Sequence, residues 1–198
     1  MRIVLAGATG VIGARLVPLL LADGHDVVGL TRTPSNVAAI EAAGAMGVAV
    51  DILDPTATRD AIMAAGPDLV MHQVTDLPDR QAGLLFKVRA LGRVRTLGTD
   101  SLIAAASAAG ARVLAQSVAF ATPGPARRPL EYLEHAVLDA DGLVLRYGRF
   151  YGPGTWSEEP PKAGQALHVD AAARMTVDAM VEPSGILEVL DSGVTRVA

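Results

Sequence analysis

Apolar runs alternate with amphipathic segments along the whole chain. Short runs rich in Val, Leu and Ile have the character of buried strands, and they occupy residues 2–6, 26–31, 46–50, 68–72, 112–116, 142–146 and 185–190. Between them apolar residues recur at helical spacing, which predicts helices over residues 11–22, 35–43, 55–65, 80–109, 129–139 and 170–181. This alternation is typical of a parallel sheet covered by helices on both faces. We therefore predict a three-layer αβα fold built on a doubly wound parallel sheet of six or seven strands.

Three glycines interrupt the chain where the first predicted strand gives way to the first predicted helix. Without a Cβ the backbone can turn tightly and approach a ligand, and a helix N-terminus offers unpaired N–H groups to a phosphate. The GxxGxxG spacing at this place is typical of Rossmann-type dinucleotide-binding folds. The alternative is a turn that only closes a βα unit. We predict that a cofactor pyrophosphate lies over Gly7, Ala8, Thr9, Gly10, Val11, Ile12 and Gly13.

The second predicted strand ends in Thr31, Arg32 and Thr33. A fold that prefers NAD usually has a carboxylate here, which accepts a hydrogen bond from the ribose 2′-hydroxyl. Asp26 lies at the opposite end of the strand. The Arg32 guanidinium suits a 2′-phosphate instead, so we predict NADP(H) as the cofactor in preference to NAD(H). A solvated surface arginine is the alternative.

The next two strands also end in candidate cofactor-binding residues. Asp51 and Ile52 could hold the adenine, while Asp54 could cap the helix that begins at Pro55. The fourth strand is followed by polar and apolar residues that would border the cofactor's ribose and pyrophosphate, namely His72, Gln73 and Val74. A single histidine at a strand end is more often structural than catalytic. Two loops rich in Pro and Gly, residues 121–129 and 151–164, are candidate substrate walls, because ligands bind beyond the carboxyl ends of parallel strands.

Composition narrows the class of protein. A chain of 198 residues, 51% hydrophobic and 19% charged, suits one domain spanning residues 1–198. The net charge of −4 gives no reason to expect a nucleic-acid partner. The absence of cysteine excludes disulfides, thiolate catalysis and cysteine-ligated metals, and the four histidines lack paired ligand spacing, so no metal site is predicted. No apolar stretch is long enough to span a bilayer, and we expect a cytoplasmic protein that acts on a small molecule.

Taken together, the motifs resemble the extended short-chain dehydrogenase/reductase family, the NAD(P)-dependent epimerase/dehydratase group. The resemblance rests on an ordered series: GATGVIG at 7–13, DILD at 51–54, GTDSLIAAASAAG at 98–110, VLAQSVAF at 113–120, LRYGRFYGPG at 145–154 and HVDAAA at 168–173. It implies a Rossmann fold, bound NAD(P), and hydride transfer at a sugar-like or small carbonyl or alcohol substrate. The chain ends soon after its last predicted strand, which implies a reduced C-terminal substrate region.

The catalytic residues implied by the resemblance are incomplete. Ser117 falls at the family's catalytic Ser/Thr, and residues 146–154 fall where the family lines the nicotinamide. The family's base is a tyrosine followed four residues later by a lysine, and none of the three tyrosines here has a lysine at that spacing. Tyr147 and Tyr151, in the loop expected to face the nicotinamide, are the remaining proton donors. An unassisted phenol, with a pKa of about 10, is a poor base at neutral pH.

Three functions therefore remain open. The first is an NADP(H)-dependent oxidoreductase in which Ser117 orients the substrate. The second is a non-catalytic cofactor sensor or scaffold, and the third is a Rossmann protein recruited to a cyclisation or dehydration without redox chemistry. We also predict a homodimer formed through residues 80–109, because this segment carries apolar residues on more than one face.

Overall fold

One mostly parallel sheet of eight strands passes through the protein. We describe it from a computed structural model over residues 1–75, 84–122, 124–162 and 164–198, without the side chains of residues 84–88. The strands of the described residues are β1 (Arg2–Ala6), β2 (Asp26–Thr31), β3 (Met46–Ala49), β4 (Leu69–His72), β5 (Arg112–Val118), β6 (Leu143–Tyr147), β7 (Arg149–Tyr151), β8 (Ala166–His168), β9 (Gly185–Leu190) and β10 (Gly193–Arg196). The main sheet has the order β3-β2-β1-β4-β5-β6-β9-β10, and β7 pairs with β8 separately.

Helices cover both faces of this sheet. They are α1 (Gly13–Ala22), α2 (Val37–Ala42), α3 (Pro55–Ala65), α4 (Leu84–Arg93), α5 (Thr99–Ala109), α6 (Arg127–Asp139) and α7 (Val169–Ala179). One core cluster packs α1, α2 and α7 against one face, and a second packs α3, α5 and α6 against the other. The predicted α/β class, with a doubly wound sheet in three layers, is therefore confirmed.

Burial on both faces of the sheet explains why β1 is an unbroken apolar run. Ile3 and Leu5 belong to the core on one face of the sheet, and Val4 and Ala6 belong to the core on the other. A strand buried on both faces has no polar side to alternate with. β1 pairs in parallel with both β2 and β4, so that Ala6 lies opposite Leu30 and His72. The residues that follow these three strands consequently meet at one edge of the sheet.

The structure departs from the predicted elements at three places. β10 pairs antiparallel with β9, and the short strands β7 and β8 were not predicted. β10 is largely exposed, so it lacks the apolar run by which a buried strand is recognised. The predicted helix 80–109 is α4 and α5 joined by a π-helical segment, Val94–Gly98, while residues 80–83 lie outside the described residues.

Helix starts agree with the predicted capping. The Asp54 carboxylate accepts the N–H groups of Thr56 and Ala57, each at 3.0 Å, and α3 then begins at Pro55. No helix in the described ranges is long and apolar enough to cross a membrane.

Candidate functional site

A cavity of about 710 Å³ opens at the edge of the sheet where the parallel strands end. It lies beside the neighbouring strands β1 and β4, where the strand order of the sheet reverses, the usual ligand position in such folds. Most of the predicted cofactor-binding residues meet here. They are Gly7, Thr9, Gly10, Val11, Ile12, Thr31, Arg32, Thr33, Asp51, Ile52, Gln73 and Val74.

The glycine turn after β1 is closed so tightly that side chains do not fit in it. Gly7 has a φ of +90°, and a Cβ there would lie 2.8 Å from the carbonyl oxygen of Gln73. A Cβ on Gly13 would overlap the carbonyl oxygen of Gly7. That oxygen also accepts the N–H of Gly10 at 2.9 Å. The turn therefore leaves a shallow backbone cradle at the start of α1, as a pyrophosphate requires.

Three predicted cofactor-binding residues do not line the cavity. Ala8 is buried behind the turn, and Gly13 is packed against Gly7. His72 is also buried, and its Nδ1 accepts the N–H of Val74 at 3.3 Å. Burial, aided by the Arg95 charge, lowers the pKa of His72 to about 4, so the imidazole is neutral near pH 7. These three residues were predicted as cofactor contacts, and the structure places them behind the cradle rather than on the cavity wall.

The end of β2 presents hydroxyls and a cation. The Thr31 hydroxyl accepts the N–H of Thr33 at 3.3 Å and lies 3.4 Å from the Thr9 hydroxyl. Arg32 lies on the cavity wall, while Asp26 lies at the other end of β2, 3.8 Å from Arg2. In the described part of the chain, the polar groups that this strand end contributes to the cavity are the threonine hydroxyls and the Arg32 guanidinium.

Tyr147 lines the cavity, but its hydroxyl proton is donated to Thr176. It is the last residue of β6 rather than part of a loop, which corrects the prediction. The Thr176 hydroxyl donates to the carbonyl of Ala172 at 2.7 Å, so it can only accept from the Tyr147 hydroxyl, also at 2.7 Å. Burial raises the pKa of Tyr147 far above that of a free phenol. This tyrosine is therefore a poor proton donor to any ligand.

The same hydrogen-bond chain fixes the amide of Gln73. Its Nε2 donates to the Tyr147 hydroxyl oxygen at 3.4 Å, which points Oε1 the other way. Oε1 is buried and has no hydrogen-bond partner among the described residues. An unpaired buried acceptor costs about 1–3 kcal/mol, and a donor group of a bound ligand would remove that cost. The backbone cradle and this acceptor both fit a nicotinamide dinucleotide, which carries a pyrophosphate and a carboxamide.

Ser117 lies on the wrong face of β5 to contact a ligand in the cavity. Gln116 and Val118 line the cavity, and strand side chains alternate between faces, so Ser117 points the opposite way. Its hydroxyl donates to the Glu134 carboxylate at 2.5 Å, and Glu134 also accepts two hydrogen bonds from Arg146, at 2.9 and 2.5 Å. The prediction that Ser117 orients a substrate oxygen is therefore contradicted by its orientation.

Tyr151 also lies away from the cavity lining. It ends β7, where its ring stands edge-on to His168 at a centroid distance of 5.1 Å. Its hydroxyl donates to the Asp191 carboxylate, and this hydrogen bond raises the pKa of Tyr151. Neither predicted tyrosine is placed to exchange a proton with a ligand in the cavity.

The remaining cavity wall comes partly from the segments 146–154 and 151–164, which were predicted to face a ligand, and partly from residues that were not predicted as contacts. The loop 151–164 was predicted as a substrate wall and contributes Gly154, Thr155, Trp156, Ser157, Glu159 and Pro161. Further wall residues are Gln116, Phe120, Arg149 and Phe150. Loop 121–129 contributes instead, in its described part, to a neighbouring cavity of about 570 Å³. The sequence feature that could have indicated Phe120 and Arg149 is their position shortly after the ends of the fifth and sixth strands, where ligands bind in such sheets.

Fold and site together define a nucleotide-binding α/β protein of the Rossmann class. Residues 3–137 match the NAD dependent epimerase/dehydratase family, to which the chain therefore belongs. The chain is 37% identical over 235 aligned positions to a 3-diazoavenalumate denitrifying reductase of a Streptomyces species, covering 96% of this chain and 76% of the relative.

Solved structures share the fold at lower identity. The UDP-glucose 4-epimerase of Thermus thermophilus, in complex with NAD, is 20% identical with a TM-score of 0.80, covering 99% of this chain and 79% of the other. The UDP-glucose 4-epimerase of Thermotoga maritima, with UDP-glucose, is 16% identical with a TM-score of 0.79 and the same coverage. These likenesses concern the arrangement of the sheet and helices.

Proposed function

We propose that the protein is an NADP(H)-dependent reductase whose substrate carries a diazonium group that is lost as dinitrogen. The observation that carries this proposal is the state of Tyr147, the tyrosine of the cavity wall, whose proton is held by Thr176. The site is therefore suited to an acceptor that needs no proton from a tyrosine. The Streptomyces relative, named for a diazo compound and for denitrification, supports the choice of acceptor.

The cradle of Gly7 and Gly10 would hold the pyrophosphate, Arg32 the 2′-phosphate, and Gln73 Oε1 the nicotinamide carboxamide. A reduced nicotinamide held by these residues would supply a hydride. When hydride adds to the carbon of an aryl diazonium ion, the C–N bond breaks and its electron pair leaves with dinitrogen. The products are an arene, dinitrogen and the oxidised cofactor. No alkoxide forms, so the tyrosine–lysine pair has no role to fill.

The test is to incubate the protein with an aryl diazonium salt and NADPH that carries deuterium at the transferred position. We expect NADPH to be consumed, dinitrogen to be released, and deuterium to appear at the carbon that carried nitrogen. An aldehyde with the same aryl group is the matched comparison, since its reduction needs a proton as well as a hydride. Reduction of the aldehyde without reduction of the diazonium salt would refute the proposed acceptor.

Replacing Tyr147 with phenylalanine should leave the reductase activity nearly intact. The ring that packs 5.3 Å from the Phe150 ring is kept, while the hydrogen bonds to Thr176 and Gln73 are lost. We expect kcat to change by less than about threefold, whereas loss of a general acid costs about 100–10,000-fold. Steady-state kinetics decide between these outcomes, and a large fall in kcat at unchanged thermal stability would make the phenol the proton donor.

Replacing Arg32 with alanine should weaken NADPH binding selectively. Loss of charge-assisted hydrogen bonds to the 2′-phosphate costs about 1.5–3 kcal/mol, which raises Kd about 10–100-fold. NADH lacks this phosphate, so its Kd should be unchanged. Calorimetric titration of both cofactors measures the difference, with Arg59→Ala on α3 as a control of equal charge change. Equal losses for the two cofactors would remove Arg32 from the 2′-phosphate site.

A further inference from the structure

The Arg149 guanidinium lies over an aromatic ring on the wall of the cavity. It opens β7, and Phe120 follows β5, so the two residues come from different strand ends. The guanidinium carbon lies 4.1 Å from the centre of the Phe120 ring. A stacked guanidinium keeps its plane and its N–H donors in a fixed orientation, which suits bidentate recognition of a carboxylate.

The charge of Arg149 is not neutralised by a carboxylate of the described residues. Other arginines of this region do have such partners: Arg15 pairs with Asp170 at 2.5 Å, and Arg146 pairs with Glu134 at 2.5 Å. Glu159 lines the same cavity as Arg149, but in the part of the chain that the structure describes the two form no ion pair. The cavity therefore presents a preorganised positive charge to whatever enters it.

Aromatic side chains line part of the wall around this charge. Phe150 adjoins Arg149 in β7, and the Phe150 ring packs 5.3 Å from that of Tyr147. Trp156, the chain's one tryptophan, lies on the cavity wall and is 44% exposed. Large aromatic surfaces of this kind favour a flat, apolar ligand.

We propose that Arg149 binds the carboxylate of a planar aromatic acid, and that Trp156 and Phe150 contact the conjugated part of the same molecule. This assigns the substrate class of the reductase proposed above, on which the inference rests: an aromatic carboxylic acid that carries the reducible group. Phe120 acts as the positioning residue, because its ring supports the guanidinium from one side and restricts where its N–H donors can lie. The carboxylate would supply the counter-charge that the described residues do not.

The test uses two unreactive probes of one shape, trans-cinnamate and trans-cinnamamide, added to the protein saturated with NADP+. Calorimetry gives the affinities, and the fluorescence of Trp156 reports occupancy of the cavity. We expect cinnamate to bind at least about tenfold more tightly than the amide, since a charge-assisted pair contributes about 1.5–3 kcal/mol. Arg149→Met should abolish this preference, and Arg149→Lys should restore it in part. Arg174→Met, on the exposed side of α7, is the matched control and should keep the preference.

Each outcome of this experiment either supports or overturns the assignment of Arg149 to a carboxylate. Equal binding of the two probes by the wild-type protein, or a preference that survives in Arg149→Met, would overturn the assignment. Phe120→Leu keeps the charge of Arg149 but removes the ring beneath it, so this variant should bind cinnamate more weakly than the wild type. It provides an independent test in case Arg149→Met does not fold. Binding of NADP+ without a preference for the acid would refute this inference and leave the proposed reductase standing. Preference for the acid in a protein that binds no NADP(H) would refute the reductase instead.

Discussion

Gly13→Ala is expected to abolish binding of the dinucleotide and to destabilise the protein. The added Cβ would overlap the Gly7 carbonyl oxygen, and both groups are fixed to the backbone. Neither can rotate away, so α1 must shift relative to β1, and overpacking of this kind costs about 1–3 kcal/mol. The shift would also open the cradle between Gly7 and Gly10. We expect the Kd for NADPH to rise by more than about 100-fold, since several backbone contacts to the pyrophosphate would be lost together.

Gly92→Ala is the matched control for this variant. Gly92 lies inside α4, and its added Cβ would make an ordinary contact of 3.5 Å with the Pro129 ring. Alanine in a helix interior is favoured over glycine by about 0.5–1 kcal/mol, so this variant should be as stable as the wild type or more so. Urea denaturation and NADPH fluorescence titration measure both effects. Binding of NADPH by Gly13→Ala with wild-type affinity would mean that the pyrophosphate does not lie over this turn.

The glycine turn could be predicted because local sequence determines it. An apolar strand buried on both faces, three spaced glycines and a helical stripe are all visible within residues 2–22, and β1, the turn and α1 follow in that order. The same holds for the capping of α3 by Asp54, since the acceptor and its two donors lie within three residues. The parallel order of the sheet then follows from the right-handed strand–helix–strand connection.

The catalytic residues could not be predicted in this way, because their roles depend on contacts between distant parts of the chain. Ser117 lies one residue beyond the predicted fifth strand and inside the observed β5, where a shift of one residue moves a side chain to the other face. Gln116 and Val118 face the cavity as a result. The proton of Tyr147 is held by Thr176, which lies 29 residues later. The stack of Arg149 on Phe120 likewise joins the ends of two strands. Homodimer formation through residues 80–109 stays a prediction.

Glu134 is the centre of a buried ionic network on the face of the sheet away from the nucleotide cradle. Its carboxylate accepts hydrogen bonds from Ser117 and, through both oxygens, from Arg146, and the glutamate is only 7% exposed. The hydrogen bond to Glu134 raises the pKa of Arg146, so this guanidinium stays charged. Removing one partner of a buried pair leaves the other without compensation, which costs about 3–5 kcal/mol.

We therefore expect Glu134→Leu to lower the free energy of unfolding by about 3–5 kcal/mol. The Arg146 side chain is 31% exposed, so water compensates part of its charge, and the loss should lie toward the lower end of this range. Ser117→Ala should cost less, about 1.5–3 kcal/mol, because a single hydrogen bond to a charged group is lost. The double variant Glu134→Leu with Arg146→Met should be more stable than the sum of the two single losses predicts, since no unpaired charge remains. Urea denaturation of the wild type, of the single variants Glu134→Leu, Arg146→Met and Ser117→Ala, and of the double variant measures these differences.

The same variants separate a structural role of Ser117 from a catalytic one. If the serine only supports Glu134, Ser117→Ala will keep the wild-type Kd for NADPH and the wild-type kcat, measured well below its melting temperature. A serine that orients the substrate would instead lower kcat with little effect on unfolding. Because the hydroxyl already donates to a carboxylate on the far side of β5, we expect the first result, with the whole effect of the substitution in stability.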